Sequence, residues 1–166
     1  MPEDEKPRVT IEEGIACGFD DDWHERWWNA MTEGGGNVIA HYRMKMVAST
    51  DDHVVMSMDY QPGARQGTGV YASGIMMQLA DVAATSVCFN HMRKHAPEGT
   101  PDLPFPLAVQ ISTNLLRNTD HGRIIAESRL THGGRMMLVC DSTVKDEEGR
   151  LLATMTTMHL VPPRRG

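Results

Sequence analysis

Asp81 stands alone in its surroundings. Between Ala72 and Met92 it is the only carboxylate, and no Lys or Arg accompanies it. The segment around it is apolar on nearly every side, so it reads as a buried helix. An ionised carboxylate is costly to bury without partners, so such a residue is paired, protonated or put to use. Two readings follow. Asp81 pairs with an Arg from the sheet or an adjacent subunit; or, partly desolvated in a cleft, it carries a raised pKa and acts as a general base.

The start of the same segment is the second feature. Gln66-Gly67-Thr68-Gly69 leads through Val70, Tyr71 and Ala72 to Ser73 and Gly74. Ser73 suits an N-cap. The first N–H groups of a helix have no partner within it and form an anion site. Aimed at an ester or thioester carbonyl, the amides around Ser73 and Gly74 would serve as an oxyanion hole. Asp81 lies roughly 10–12 Å further along the axis, at ~1.5 Å per residue. A two-fold dimer would bring the Asp of one subunit to the helix start of the other. The plain reading of these glycines is a tight turn with close packing.

The elements that must hold these groups can be read along the chain. Residues 1–18 are polar. Asp20-Asp21-Asp22 precedes Trp23, Trp27 and Met31, which share one face of a candidate helix ended by Gly34-Gly35-Gly36. Strands are expected over Ile39–Val47 and His53–Tyr60, with Asp51-Asp52 in the turn between them. Pro62-Gly63 ends the second strand. The central helix, about Ala72 to Met92, is followed by Arg93, Lys94 and His95, which complement its dipole. A proline-rich loop, Pro97–Pro106, then leads to strands at Leu107–Leu116, Arg123–Leu130, Met136–Lys145 and Leu151–Val161. Turns are read at His132-Gly133-Gly134 and Asp146–Gly149. Short consecutive strands joined by tight turns are antiparallel. The expected architecture is α+β: one long helix covered by four to six antiparallel strands, with an extra N-terminal helix.

Composition fits one domain. The chain has 166 residues, 40% apolar and 23% charged, with net charge −6. No basic stripe speaks for nucleic acid. No apolar run is long enough and free of charge for a membrane span. The N-terminus, MPEDEKPR, lacks the apolar region of a signal peptide. Cys17, Cys88 and Cys140 show no paired spacing, so reduced thiols in a cytoplasmic protein are expected. Thirteen Met against three Phe is unusual; Met fills irregular gaps or shapes adaptable clefts, or is a compositional habit.

Several motifs lead elsewhere and fail on context. Gly67-Thr68-Gly69-Val70-Tyr71-Ala72 fits a dinucleotide fingerprint, but the flanking pattern is not βαβ. Ser73 is not set in Gly-x-Ser-x-Gly, so a nucleophilic elbow is absent. The eight His residues show no clustered metal-ligand spacing. His41, His53 and His159 lie in or beside strands and read as structural.

The run from Gln66 to Asp81, with Ala72-Ser73-Gly74 and Leu79-Ala80-Asp81, resembles the hotdog-fold acyl-CoA thioesterases of the phenylacetate-degradation type. Leu115-Leu116-Arg117, His132-Gly133-Gly134-Arg135 and Gly149-Arg150-Leu151-Leu152-Ala153 resemble later parts of that pattern. The resemblance covers roughly residues 38–161, with 1–37 as an extension and 162–166 as a tail. It implies a central helix wrapped by an antiparallel sheet, in a homodimer or dimer of dimers, with sites at the dimer interface. It also implies an acyl-CoA as substrate, coenzyme A being part of that substrate, and no cofactor or metal. Asp81 would activate water, Ser73 and Gly74 would bind the thioester oxygen, and Gln66 would orient the carbonyl or the water. Arg117 and Arg135 are candidates for the coenzyme A phosphates, their plain reading being solvated loop charges. Met76, Met77 and Phe89 are candidates for the acyl tunnel, or simply core. Ala72 stands where the family has His, Ser73 where it has Gly and Gln66 where it has Asn; Ala108 falls where some members carry Ser or Thr. A rival of another class is a hotdog protein that binds an acyl-CoA or another apolar ligand without turnover.

Overall fold

The computed structural model describes residues 37–100 and 103–163. The Trp-rich segment lies outside them. A short helix α1 (Val38–His41) opens the described chain, followed by strands β1 (Lys45–Ser49) and β2 (His53–Asp59). A 3-10 turn at Pro62–Ala64 precedes the long helix α2 (Ser73–Lys94). Strands β3 (Leu107–Leu115), β4 (Arg123–Gly133), β5 (Met137–Asp146) and β6 (Leu151–Leu160) complete the fold. All six strands form one antiparallel sheet in the order β1-β2-β4-β5-β6-β3. Helix α2 packs across one face, against β2 through β6.

Three local expectations are corrected. The strand expected over Ile39–Val47 starts only at Lys45, because Asn37 nucleates a helical turn: its side chain accepts from Ala40 N at 3.0 Å. Arg43 then takes a positive φ of 51° to turn the chain into β1. Strand β4 runs on to Gly133, with a bulge between Leu130 and His132, and Gly134 N donates to Met137 O at 3.0 Å, so the hairpin tip sits at Arg135-Met136. The α2 N-cap is Ala72, with Ser73 the first helical residue and no side-chain cap bond. The Asp146–Gly149 turn is as expected. The Asp146 carboxylate accepts from the backbone N–H groups of Glu148 and Arg150 at 3.1 and 2.8 Å, and Gly149 supplies the positive φ of 81°.

The core lies between α2 and the sheet. Leu79, Ala80, Ala83, Ala84 and Val87 meet Val54, Ile124, Ala126, Leu138 and Val144. Met44, Met46, Met56, Met58, Met76 and Met155 are buried with them, so much of the Met excess is core packing. Strand β3 is different. It occupies a sheet edge, and Leu107, Val109, Ile111 and Leu115 are each 42–54% exposed. An exposed apolar edge strand is a template for pairing with another chain.

Candidate active site

The chain entering α2 is held from several sides. Gln66 and Val70 close a turn, Gln66 N donating to Val70 O at 3.0 Å, with Gly69 at φ 89°. The Tyr60 hydroxyl donates to the Gly69 carbonyl. Tyr71 N donates to Thr119 O at 3.0 Å, and the Asn118 side-chain amide donates to Tyr71 O at 2.8 Å. The buried Tyr71 hydroxyl donates to Gly122 O at 2.9 Å, and burial pushes its pKa above the usual phenol range. Ala72 N donates to Ala64 O at 2.8 Å. Every peptide up to the helix start is thereby fixed before the helix supplies any bond of its own.

At the start itself, the Ala72 carbonyl accepts from Ile75 N at 2.9 Å and from Met76 N at 3.4 Å. Ser73 N–H and Gly74 N–H have no acceptor among the described residues. Gly74 is exposed and Ser73 half-buried. Two free amides at the positive end of a 22-residue helix form a donor pair suited to a carbonyl oxygen gaining negative charge.

The helix has almost no amphipathic pattern, yet burial gives it an open stripe. Gly74 is exposed, while Met77, Gln78, Asp81 and Thr85 are half-buried, at three- and four-residue spacing along one side. Asp81 is the acid in that stripe. Its Oδ1 is buried with no hydrogen-bond partner among the described residues. Desolvation raises its pKa above the ordinary carboxylate range. No ion pair to Asp81 occurs among the described residues, so none of their Arg side chains makes the structural pairing.

Contacts set the direction of the helix over the sheet. Ser128 on β4 reaches Ala80 O, and Cys140 on β5 reaches Ala84 O. Gly133 lies against the His91 ring, where a Cβ would come within 2.7 Å. In the strand register Ser128 belongs with Ser142 and Met155, Leu130 with Cys140 and Thr157, and Gly133 with Leu138 and His159. Helix α2 therefore runs in the same direction as β6. Thr85 Oγ1 lies 3.2 Å from His159 Nε2, which turns the Thr85 side of the helix, and with it Asp81, toward β6 and the β3 edge. Thr113 Oγ1, Thr157 Oγ1 and His159 Nδ1 are also buried without partners among the described residues. Such a seam is unusual, because buried polar atoms normally have hydrogen-bond partners.

The remaining candidates divide. Met77 is on the open stripe, whereas Met76 is core and Phe89 is buried beside Phe105 with ring centroids 6.1 Å apart. Gln66 is exposed at the helix-start end, and its amide donates to Thr68 Oγ1 at 3.0 Å. Arg117 and Arg135 are both exposed and stand at opposite ends of β6: Arg117 donates to Leu151 O at 3.3 Å, while Met136, beside Arg135, accepts from Val161 N at 2.9 Å. One chain does not bring both onto one phosphate. Ala108 is exposed on the β3 edge, in register with His159. Thr85 carries no signal in the sequence beyond its four-residue spacing from Asp81. Among the described residues no helix is long and apolar enough to cross a membrane, and no three His, Cys, Asp or Glu side chains gather to hold a metal.

A long helix wrapped by a six-stranded antiparallel sheet is the hotdog fold, and solved structures share it. The PaaI protein of the Escherichia coli phenylacetic acid degradation operon superposes with a TM-score of 0.68 at 16% identity, covering 84% of this chain and 95% of that one. A Haemophilus influenzae thioesterase gives 0.68 at 19% identity, over 80% and 87% of the two chains. A Streptococcus mutans protein solved with acetyl CoA gives 0.63 at 20%, over 74% and 91%. In sequence, residues 68–153 match the thioesterase superfamily, and the chain belongs to that family. A Deinococcus radiodurans protein named as a candidate esterase is 26% identical over 115 residues, 69% of this chain and 67% of that relative. The class of chemistry is thus hydrolysis of a thioester.

Proposed function

We propose that the protein is an acyl-CoA thioesterase, yielding a free acid and coenzyme A at a site shared by two subunits of a homodimer. The observation that carries this reading is Asp81: a desolvated carboxylate, unpaired among the described residues, on the open stripe of an otherwise buried helix. A raised pKa suits a general base working near neutral pH. The free amides of Ser73 and Gly74 supply the other half of the chemistry.

Asp81 and the helix start of its own chain are eight residues apart, about 12 Å along the axis. A two-fold across the exposed β3 edge runs the two helices antiparallel, so that each helix start meets Asp81 of the partner subunit. The carbonyl of the thioester accepts hydrogen bonds from Ser73 N–H and Gly74 N–H. Asp81 of the partner subunit takes a proton from water as the water oxygen bonds to the carbonyl carbon. The tetrahedral intermediate collapses, the C–S bond breaks, the proton held by Asp81 of the partner subunit passes to sulfur, and coenzyme A leaves as the thiol. The same two-fold places Arg117 at the end of the dimer that carries Arg135 of the partner subunit, which makes both available to the nucleotide end of one coenzyme A. Relatives in fold solved with acetyl CoA and with coenzyme A support this choice of ligand. The reading places the protein in the cytoplasm and requires no cofactor.

A second reading is favoured by Gln66, whose amide is turned to Thr68 rather than into the site: a hotdog protein that binds an acyl-CoA without cleaving it. A panel of acyl-CoAs from acetyl to palmitoyl, with aromatic members, separates the two. Release of free thiol identifies the hydrolase and its acyl class. Saturable binding with no thiol release across the panel supports the binder and overturns the hydrolase.

A further inference from the structure

His159 is fully buried on β6, yet only one of its ring nitrogens has a partner among the described residues. Nε2 lies 3.2 Å from Thr85 Oγ1, and Nδ1 has none among the described residues. Burial holds the imidazole pKa below its ordinary value, so the ring is neutral. Two neutral tautomers are available. With the proton on Nδ1, a buried N–H goes unpaired; with the proton on Nε2, a bare acceptor goes unpaired. Buried orphan N–H groups are the rarer of the two, so the proton is assigned to Nε2 and donated to Thr85 Oγ1. The Thr85 hydroxyl proton is then not spent on His159.

Thr85 belongs to the open stripe, one turn after Asp81 and on the same side of α2. Asp81 is acceptor-only when ionised, so it can draw a proton from a water but cannot hold that water by a lone pair. A donor beside it does so. We propose that His159 is a positioning residue for the hydrolysis proposed above: by donating to Thr85 it fixes the Thr85 hydroxyl as a donor toward the water that Asp81 activates. The water gives one proton to Asp81, accepts a hydrogen bond from Thr85 and keeps a lone pair for the carbonyl carbon. No bond to His159 forms or breaks. The unpaired Nδ1 is the stability cost of holding this arrangement, since a buried polar atom without a partner is destabilising.

That cost gives the inference a signature that a packing role lacks. The full-length chain is assayed as wild type, His159→Leu, His159→Gln, Thr85→Val and the His159→Leu/Thr85→Val pair, with Tm recorded for each. His159→Leu is expected to lower kcat about 10- to 100-fold, to leave KM within about twofold, and to hold or raise Tm. His159→Gln, whose side-chain N–H still donates, is expected to recover most of kcat. Thr85→Val should lose a similar factor, and the double variant no more than either single one. The inference fails if His159→Leu leaves kcat unchanged. It fails equally if kcat and Tm fall together without rescue by Gln, or if His159→Leu still lowers kcat in the Thr85→Val background. Wild-type protein that cleaves no acyl-CoA brings down the hydrolase reading and this inference with it, whereas active wild type with indifferent variants brings down this inference alone.

Discussion

The side-chain amide of Asn118 donates to the backbone carbonyl of Tyr71 at 2.8 Å, tying the β3–β4 connection to the peptide that precedes the α2 N-cap. Its carboxamide oxygen accepts from Thr119 N at 2.8 Å, so both ends of the amide are used. The Ser73 and Gly74 amides are aimed by this attachment. Asn118→Asp keeps the shape and the acceptor but loses the donor. It is expected to lower kcat/KM about tenfold by loosening the proposed oxyanion donors, with a loss near 1 kcal/mol in stability from denaturant unfolding. Asn118→Ala should match it.

The proposed role of Asp81 ties activity to stability. Its pKa is raised by burial in the folded chain, so the folded state binds the proton more tightly than the unfolded state. By linkage, its contribution to stability falls as pH rises above the ordinary carboxylate pKa of about 3.9, and the penalty is complete above the raised folded value. Asp81→Asn removes that penalty. Tm of the variant should exceed wild type at pH 7, and the difference should shrink as pH is lowered toward 4. A variant less stable than wild type at pH 7 would mean that the carboxylate has a favourable partner in the assembly.

In the proposed assembly the β3 edge carries the dimer. Val109 is 54% exposed in the isolated chain, next to the bulge between Ala108 and Gln110. Val109→Lys puts a charge on the edge, a device by which strands resist pairing. Sedimentation should show wild type as a dimer or dimer of dimers and the variant shifted to monomer. Thioesterase activity should fall at least about tenfold with it, because each site draws on two chains. A monomeric variant with full activity would contradict a shared site.

Cys88 on α2 and Cys140 on β5 face each other with Sγ atoms 3.5 Å apart, both fully buried. The hydrogen bond to Cys140, with burial, pushes the Cys88 thiol well above the usual range. Both thiols are out of reach of a reagent, so neither should be labelled by a disulfide dye in the native protein at pH 8. Both should become reactive in guanidinium. Cys88→Ser places a stronger polar group there and is expected to destabilise by about 1–3 kcal/mol in denaturant titration.

Much of this was legible in the chain. Asp81 was visible because one acid in an apolar helix is a local anomaly, and the strands from β3 onward because alternation and turn residues are local signals. The α1 turn was missed because Val38–His41 has the β-branched and apolar composition of a strand, and a single Asn37 cap decides otherwise. Ser73 has the right chemistry for a cap, but the backbone held by Thr119 and Asn118 puts Ala72 there. Leu107, Val109 and Ile111 look like core in sequence; only the strand order, set by the long connection after α2, leaves them at an edge. Thr85 and His159 are 74 residues apart, and no local pattern pairs them.

Thiol release from the acyl-CoA panel, measured for wild type and Asp81→Asn side by side with unfolding curves for both, tests the central claim most directly. The account predicts turnover of at least one acyl class by wild type, and a loss in kcat of about 10²- to 10⁴-fold in a variant that stays folded and dimeric. A folded Asp81→Asn variant that releases coenzyme A at the wild-type rate would contradict it.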